Sequence, residues 1–294
     1  MKKTAVLRIV NKIKKINPDA KVSQMKRTED GTFYLAWSIF YKDEHYLLKK
    51  IKSASEENFY RFINGQTAVV PYFYGSTDYY GKRYILLEYV EGKEMNKPTR
   101  TDLIHALDAL ISLQKLFPET KKSEIEEIGD SIETFSKSIS ARREYLDEAL
   151  LRQTMDNLTL LYPTLPRTLC HMDLLPFNVI TNKSKAVIID WENFGMFPYL
   201  LPFARLIAHT KPNYDWDFVL SIEDKKFAID YYFSNYAKGL GKTYEEYLNE
   251  LNYFLFYEST EWVYVGRKYG TFQKSRYQNA LECATKLAQI INKI

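Results

Sequence analysis

The chain has 294 residues, 46% of them hydrophobic, enough to bury a substantial core, so no obligate protein partner is implied. Its 41 basic and 37 acidic residues leave a formal charge of +4 spread along the chain, which disfavours nucleic acid as a ligand. Two cysteines, Cys170 and Cys283, exclude a disulfide framework or a paired-cysteine metal site and fit a reducing cytoplasm; no run approaches the roughly 18 uncharged apolar residues that would cross a membrane.

In residues 1–16, Ala5, Val6, Ile9, Val10, Ile13 and Ile16 recur at helical spacing opposite basic residues, which predicts an amphipathic helix lying on the body of the protein. The interspersed charges break any signal-peptide run. Residues 22–51 read as three short strands, with a turn at Lys42, Asp43 and Glu44. Ser53 or Ser55 can cap a helix over 56–63, and residues 84–89 make another apolar strand that ends at Glu91 and Gly92. This is the pattern of a small antiparallel sheet in a first lobe, residues 1–90, with a hinge after it. Beyond the hinge, Leu103, Leu107, Leu110 and Leu113 line one face of a helix over 101–117, and residues 131–161 carry further helical periodicity. Residues 169–191 revert to short branched segments around a turn at 181–184, and the chain is helical again from residue 199. The expected architecture is α+β in two lobes, the second, residues 91–294, mainly helical.

The strongest chemical signal is the run CHMDLLPFN, which supplies His171, Asp173 and Asn178, followed at the end of the branched run Ala186-Val187-Ile188-Ile189 by Asp190. Phosphoryl transfer explains why these residue types belong together. A carboxylate must position the attacking hydroxyl and receive its proton, while an amide and a second carboxylate hold Mg against the phosphates. Mg prefers hard oxygen ligands, so Asn178 and Asp190 are the expected metal ligands, Asp173 the catalytic carboxylate and His171 an orienter of the catalytic loop. The bland alternative is a polar strand-to-turn segment.

Such chemistry also needs a cation on the nucleotide phosphates. In the strand Tyr46-Leu47-Leu48-Lys49-Lys50-Ile51, Lys49 best matches the required register and Lys50 faces the other way, although lysines at a strand end are commonly solvated edge residues. Glu56 or Glu57 on the next helix can fix that lysine; Glu56, two helical turns before Ile63, shares its inward face. The turn over residues 28–34 has one glycine, Gly31. Gly31 and Thr32 can present backbone donors to phosphate there, or the turn is a plain hairpin. The strand ending Leu86-Leu87-Glu88-Tyr89-Val90-Glu91-Gly92 can lend main-chain groups to an adenine ring.

Together these residues resemble the aminoglycoside phosphotransferase and choline kinase-like group of small-molecule kinases, through Lys49, Glu56, the LLEYVEG hinge, HMDLLPFN and IIDWE. The resemblance implies the protein kinase-like fold, ATP and Mg as cofactors, and transfer of the γ-phosphoryl group to a hydroxyl of a small molecule. It also implies adenine at the Glu88 carbonyl and Val90 amide, the phosphates at Lys49, and the acceptor facing Asp173. Asp190-Trp191-Glu192 follows that group, where protein kinases have phenylalanine and glycine, and no Ala-Pro-Glu segment follows it. This disfavours a protein Ser/Thr kinase. The intact Asp173, Asn178 and Asp190 disfavour a non-catalytic nucleotide-binding pseudokinase. The chain departs from the group at Met172, Leu175 and Phe177, and Leu201-Pro202-Phe203-Ala204 replaces the usual segment with Asp-Leu-Ala.

Acceptor recognition is expected in the helical lobe. Glu258, Glu261, Trp262 and Val265 fall on one helical face, with Tyr257 beside them. Two carboxylates and an indole suit a cationic acceptor, an aminoglycoside-like antibiotic or an amino alcohol; the alternative is an ordinary helix with solvated glutamates.

Overall fold

The computed structural model describes residues 1–26, 31–209, 220–272 and 275–293. The chain divides into two compact units, Met1–Gly92 with Ile189–Glu192, and Lys93–Ile188 with Asn193–Ile294. Among the described residues no helix is long and apolar enough to cross a membrane.

The first unit opens with α1 (Lys3–Val10) and continues through β1 (Lys21–Lys26), β2 (Phe33–Tyr41), β3 (Glu44–Lys50), α2 (Ala54–Ile63), β4 (Phe73–Tyr79) and β5 (Lys82–Glu88). The strands form one antiparallel sheet in the order β1-β2-β3-β5-β4. Alternation gives the sheet two faces. Trp37, Ile39, Tyr46, Leu48, Tyr84 and Leu86 pack with Val6, Leu7, Ile9 and Val10 of α1 into one buried cluster, which accounts for the apolar stripe of residues 1–16. Lys49, one position along from Leu48, therefore belongs to the opposite face. The β2–β3 hairpin turns at Lys42, whose φ of +54° is left-handed.

The second unit contains β6 (Lys93–Glu94), α3 (Arg100–Leu116), α4 (Lys122–Glu126), α5 (Ile132–Arg143), α6 (Ala149–Leu161), β7 (Arg167–His171), β8 (Val179–Thr181), β9 (Ala186–Ile188), β10 (Phe194–Pro198), α7 (Leu200–Ile207), α8 (Ile222–Asn235), α9 (Tyr244–Tyr269) and α10 (Ser275–Asn292). Its strands make two small sheets, β10-β7 and β6-β8-β9. Helix starts follow their side chains: Thr99 with Asp102 and Thr243 with Glu246 form capping boxes at α3 and α9, and Gly270, left-handed at φ +66°, ends α9. The core is aromatic. Phe135 sits against Tyr162, Phe254 and Tyr257, and Phe203 stacks on Tyr232 with centroids 4.1 Å apart. The fold is α+β, with a five-stranded antiparallel sheet in one unit and a helical majority in the other.

Candidate active site

Within the first unit, β3 presents Lys49 and α2 presents Glu56, whose carboxylate is 1% exposed. The Lys49 ammonium donates to Glu56 Oε1 at 2.6 Å and also to Asp190 Oδ1. Burial opposes charge on Lys49, but the two carboxylates outweigh it and raise its pKa. Burial pushes Glu56 up, and the neighbouring ammonium pulls it back. Glu57 faces elsewhere. It takes bonds from Arg83, at 2.7 Å, and from Arg61 and Ser76.

Asp190 lies at φ +64°, a left-handed conformation costly for a residue with a Cβ. Trp191, 1% exposed, holds the segment in place by stacking on Phe59 of α2, and the Tyr60 hydroxyl meets backbone of Trp191 and Asp190. Carboxylate oxygens of Glu56, Asp190 and Glu192 lie within 4.8 Å of one another. That is a hard-oxygen donor set of the kind Mg takes. The expected hinge residues Glu88 and Val90 flank Tyr89, which stacks on His45 at 3.7 Å and donates its amide to the His45 carbonyl at 3.2 Å. Of the expected phosphate turn, residues 28–30 lie outside the described residues; Gly31, at φ +68°, and Thr32 are exposed just before β2.

In the second unit, β7 delivers His171 and the loop after it carries Asp173. The buried His171 accepts the Asp173 amide at Nδ1 (3.1 Å), and Asn178 donates from Nδ2 to the Asp173 carbonyl (2.8 Å). Both polar neighbours thus brace the loop backbone at Asp173.

The Asp173 side chain borders a cavity of about 350 Å³, also lined by Asp130, Thr134, Ser138, Arg142, Glu258 and Glu261 among others. Residues 130, 134, 138 and 142 recur every fourth position, one face at and along α5. Glu258 and Glu261 do meet at this cavity, but through a cation that sequence reasoning overlooked: Arg205 of α7 bonds Asp173, Glu258 and Glu261 together. Burial raises the Glu258 pKa, whereas the charges of Arg205 and Arg142 overcome burial at Glu261 and lower it. Trp262 is not among the cavity's lining residues, and its indole lies 5.4 Å from the Arg276 guanidinium. The signal for Arg205 was a lone charge within the apolar run LLPFARLI.

The profile described as the phosphotransferase enzyme family (APH) matches residues 32–240. No curated protein matches the sequence. Among solved structures, a choline kinase from Cryptosporidium parvum aligns over 98% of this chain and 97% of its own, at 15% identity and a TM-score of 0.67. An amicoumacin kinase in complex with AMP-PNP, Ca2+ and Ami aligns over 100% and 94%, at 14% identity and a TM-score of 0.63. An aminoglycoside phosphotransferase from Streptomyces rimosus in complex with ADP and streptomycin aligns over 87% and 97%, at 16% identity and a TM-score of 0.56.

Proposed function

Because the chain belongs to the phosphotransferase enzyme family, we propose that it transfers the γ-phosphoryl group of ATP, with Mg, to a hydroxyl of a small molecule. The observation that carries this reading is Asp173: its backbone is held at the amide by His171 and at the carbonyl by Asn178, and its carboxylate stands on the wall of a cavity large enough for a small acceptor. Structures of similar fold contain AMP-PNP with Ca2+, or ADP with streptomycin, which supports a nucleotide, a divalent cation and a small-molecule acceptor here.

In this reading Lys49, fixed by Glu56, binds the nucleotide phosphates. Asp190 and Asn178 are the metal ligands, with Gly31, Thr32 and the Glu88 carbonyl and Val90 amide on the remainder of the nucleotide. Bound Mg supplies charge neutralisation on the phosphates. Asp173 accepts the proton of the acceptor hydroxyl as the oxygen attacks, and His171 keeps the loop in place without itself exchanging protons.

The cavity lining holds four carboxylates, Asp130, Asp173, Glu258 and Glu261, against the guanidiniums of Arg142 and Arg205. That excess favours a cationic acceptor such as an aminoglycoside-like antibiotic or an amino alcohol. The test is ADP release from Mg-ATP against a panel of amino alcohols, sugars and aminoglycosides, with phosphorylated product identified by mass. Acceptor-dependent release with product formed is expected. Release that no acceptor alters, with nothing phosphorylated, overturns the reading.

A further inference from the structure

Arg205 is the one charged side chain in α7, and its guanidinium is largely buried, with the side chain 13% exposed. A buried guanidinium must be paired, and Glu258 and Glu261 of α9, both on Nη1, already do that. The other edge of the group turns to the catalytic loop. There Nε and Nη2 donate to the same oxygen, Asp173 Oδ1, at 3.2 and 2.7 Å. Among the described residues Oδ2 has no hydrogen-bond partner.

The Asp173 backbone is fixed at its amide by His171 and at its carbonyl by Asn178, so the side-chain torsions are what remains to be set. We propose that Arg205 is a positioning residue for phosphoryl transfer: anchored on α9, its planar fork fixes the Asp173 carboxylate by Oδ1 and turns Oδ2 to the acceptor hydroxyl. This rests on the reading of Asp173 as the proton acceptor. A lysine would keep the charge but lose the fork, because an ammonium is a point charge on a flexible stem. Glu261 shares Nη1 with Glu258, so a neutral residue at 261 loosens the anchor while one glutamate still holds it.

The experiment compares wild type, Arg205→Lys, Glu261→Gln and Arg205→Ala, each checked for folding by its thermal unfolding midpoint. ADP release from Mg-ATP is followed with water as acceptor and with the panel member that accelerates it most. Arg205→Lys is expected to fold and to lose about 10²-fold in kcat, since a misplaced catalytic group costs that much, with the KM values for ATP and acceptor changed by less than about threefold. Glu261→Gln should show a smaller loss of kcat. Arg205→Ala should regain activity on adding guanidinium ion; if it does not fold, the lysine variant carries the test. A folded Arg205→Lys protein with wild-type kcat overturns the proposal. So does an unchanged kcat with a raised acceptor KM, which would make Arg205 an acceptor-binding group. A wild-type protein without acceptor-dependent release overturns the parent reading and this proposal with it, whereas an active wild type beside an unaffected lysine variant overturns this proposal alone.

Discussion

Phe59 and Trp191 stack with ring centroids 4.2 Å apart and planes 13° from parallel, joining α2 to the residue that follows Asp190. The contact ties two features of the proposed nucleotide site to one helix, since Glu56 lies one turn before Phe59. Truncating a buried aromatic leaves a cavity, so Trp191→Ala is expected to cost about 3–5 kcal/mol, read by urea unfolding. Trp191→Phe should recover most of that stability. A Trp191→Ala protein as stable as wild type would mean that the stack does not hold the segment.

Lys49 stands between two carboxylates, one of them buried Glu56. Lys49→Met strips Glu56 of its partner and should destabilise the protein by about 3–5 kcal/mol. Adding Glu56→Gln removes the stranded charge and should restore much of the stability. Nucleotide affinity should stay low in both variants, measured by calorimetry with Mg-AMP-PNP. A double variant that binds nucleotide like wild type would remove Lys49 from its proposed role.

Some of this was legible in the chain and some was not, for physical reasons. Alternation along β3 put Lys49 and Lys50 on opposite faces because a strand repeats every two residues, and spacing to Ile63 favoured Glu56 over Glu57, but which lysine meets which glutamate is seen only in the Lys49–Glu56 bond. Strand β4 escaped notice because Gly75, at φ +142°, sits where the β4–β5 register shifts, breaking the apolar pattern. The helical periodicity over 131–161 belongs to two helices, α5 and α6, separated at residues 144–148. Strand β10 was also missed: its five residues are buried throughout, so no alternation marks them. Arg205 was hidden because its partners lie 32, 53 and 56 positions away, and no local periodicity reports contacts of that range. The association of Ile189–Glu192 with the first unit is equally a matter of tertiary packing.

Gly195 of β10 passes so close to Asp130 that an added Cβ would sit 2.2 Å from the Asp130 carbonyl oxygen and 2.5 Å from the Phe197 ring. Backbone cannot yield as a flexible side chain does. Gly195→Ala is therefore expected to destabilise by about 1–3 kcal/mol through overpacking and to raise the acceptor KM by shifting Asp130 on the cavity wall. An unchanged unfolding midpoint would contradict the close approach.

His209, just beyond α7 and 6% exposed, has its pKa pushed down to about 3, first by burial and then by the Arg205 charge, with Lys225 and Arg276 acting in the same sense and Glu261 against it. Its ordinary value is about 6.5. Below that value the unfolded chain binds a proton that the folded chain refuses, so this stability is complete at neutral pH and is lost as pH falls from 6.5 towards 3. The slope from one such group is at most about 1.4 kcal/mol per pH unit. Glu57, held down to about 2 chiefly by its bond from Arg83, contributes in the same direction only below about 4.5. Urea unfolding between pH 7 and about 5 should show the His209 slope and show it flattened in His209→Gln. Equal slopes in the two proteins would contradict the assignment.

The most direct test of the account is the single-turnover rate of acceptor phosphorylation in Asp173→Asn beside wild type, with Mg-AMP-PNP affinity measured in both. The account predicts a loss of about 10²–10⁴-fold in rate with nucleotide affinity retained, because Asp173 handles the acceptor's proton and not the nucleotide. Equal rates in the two proteins would contradict it.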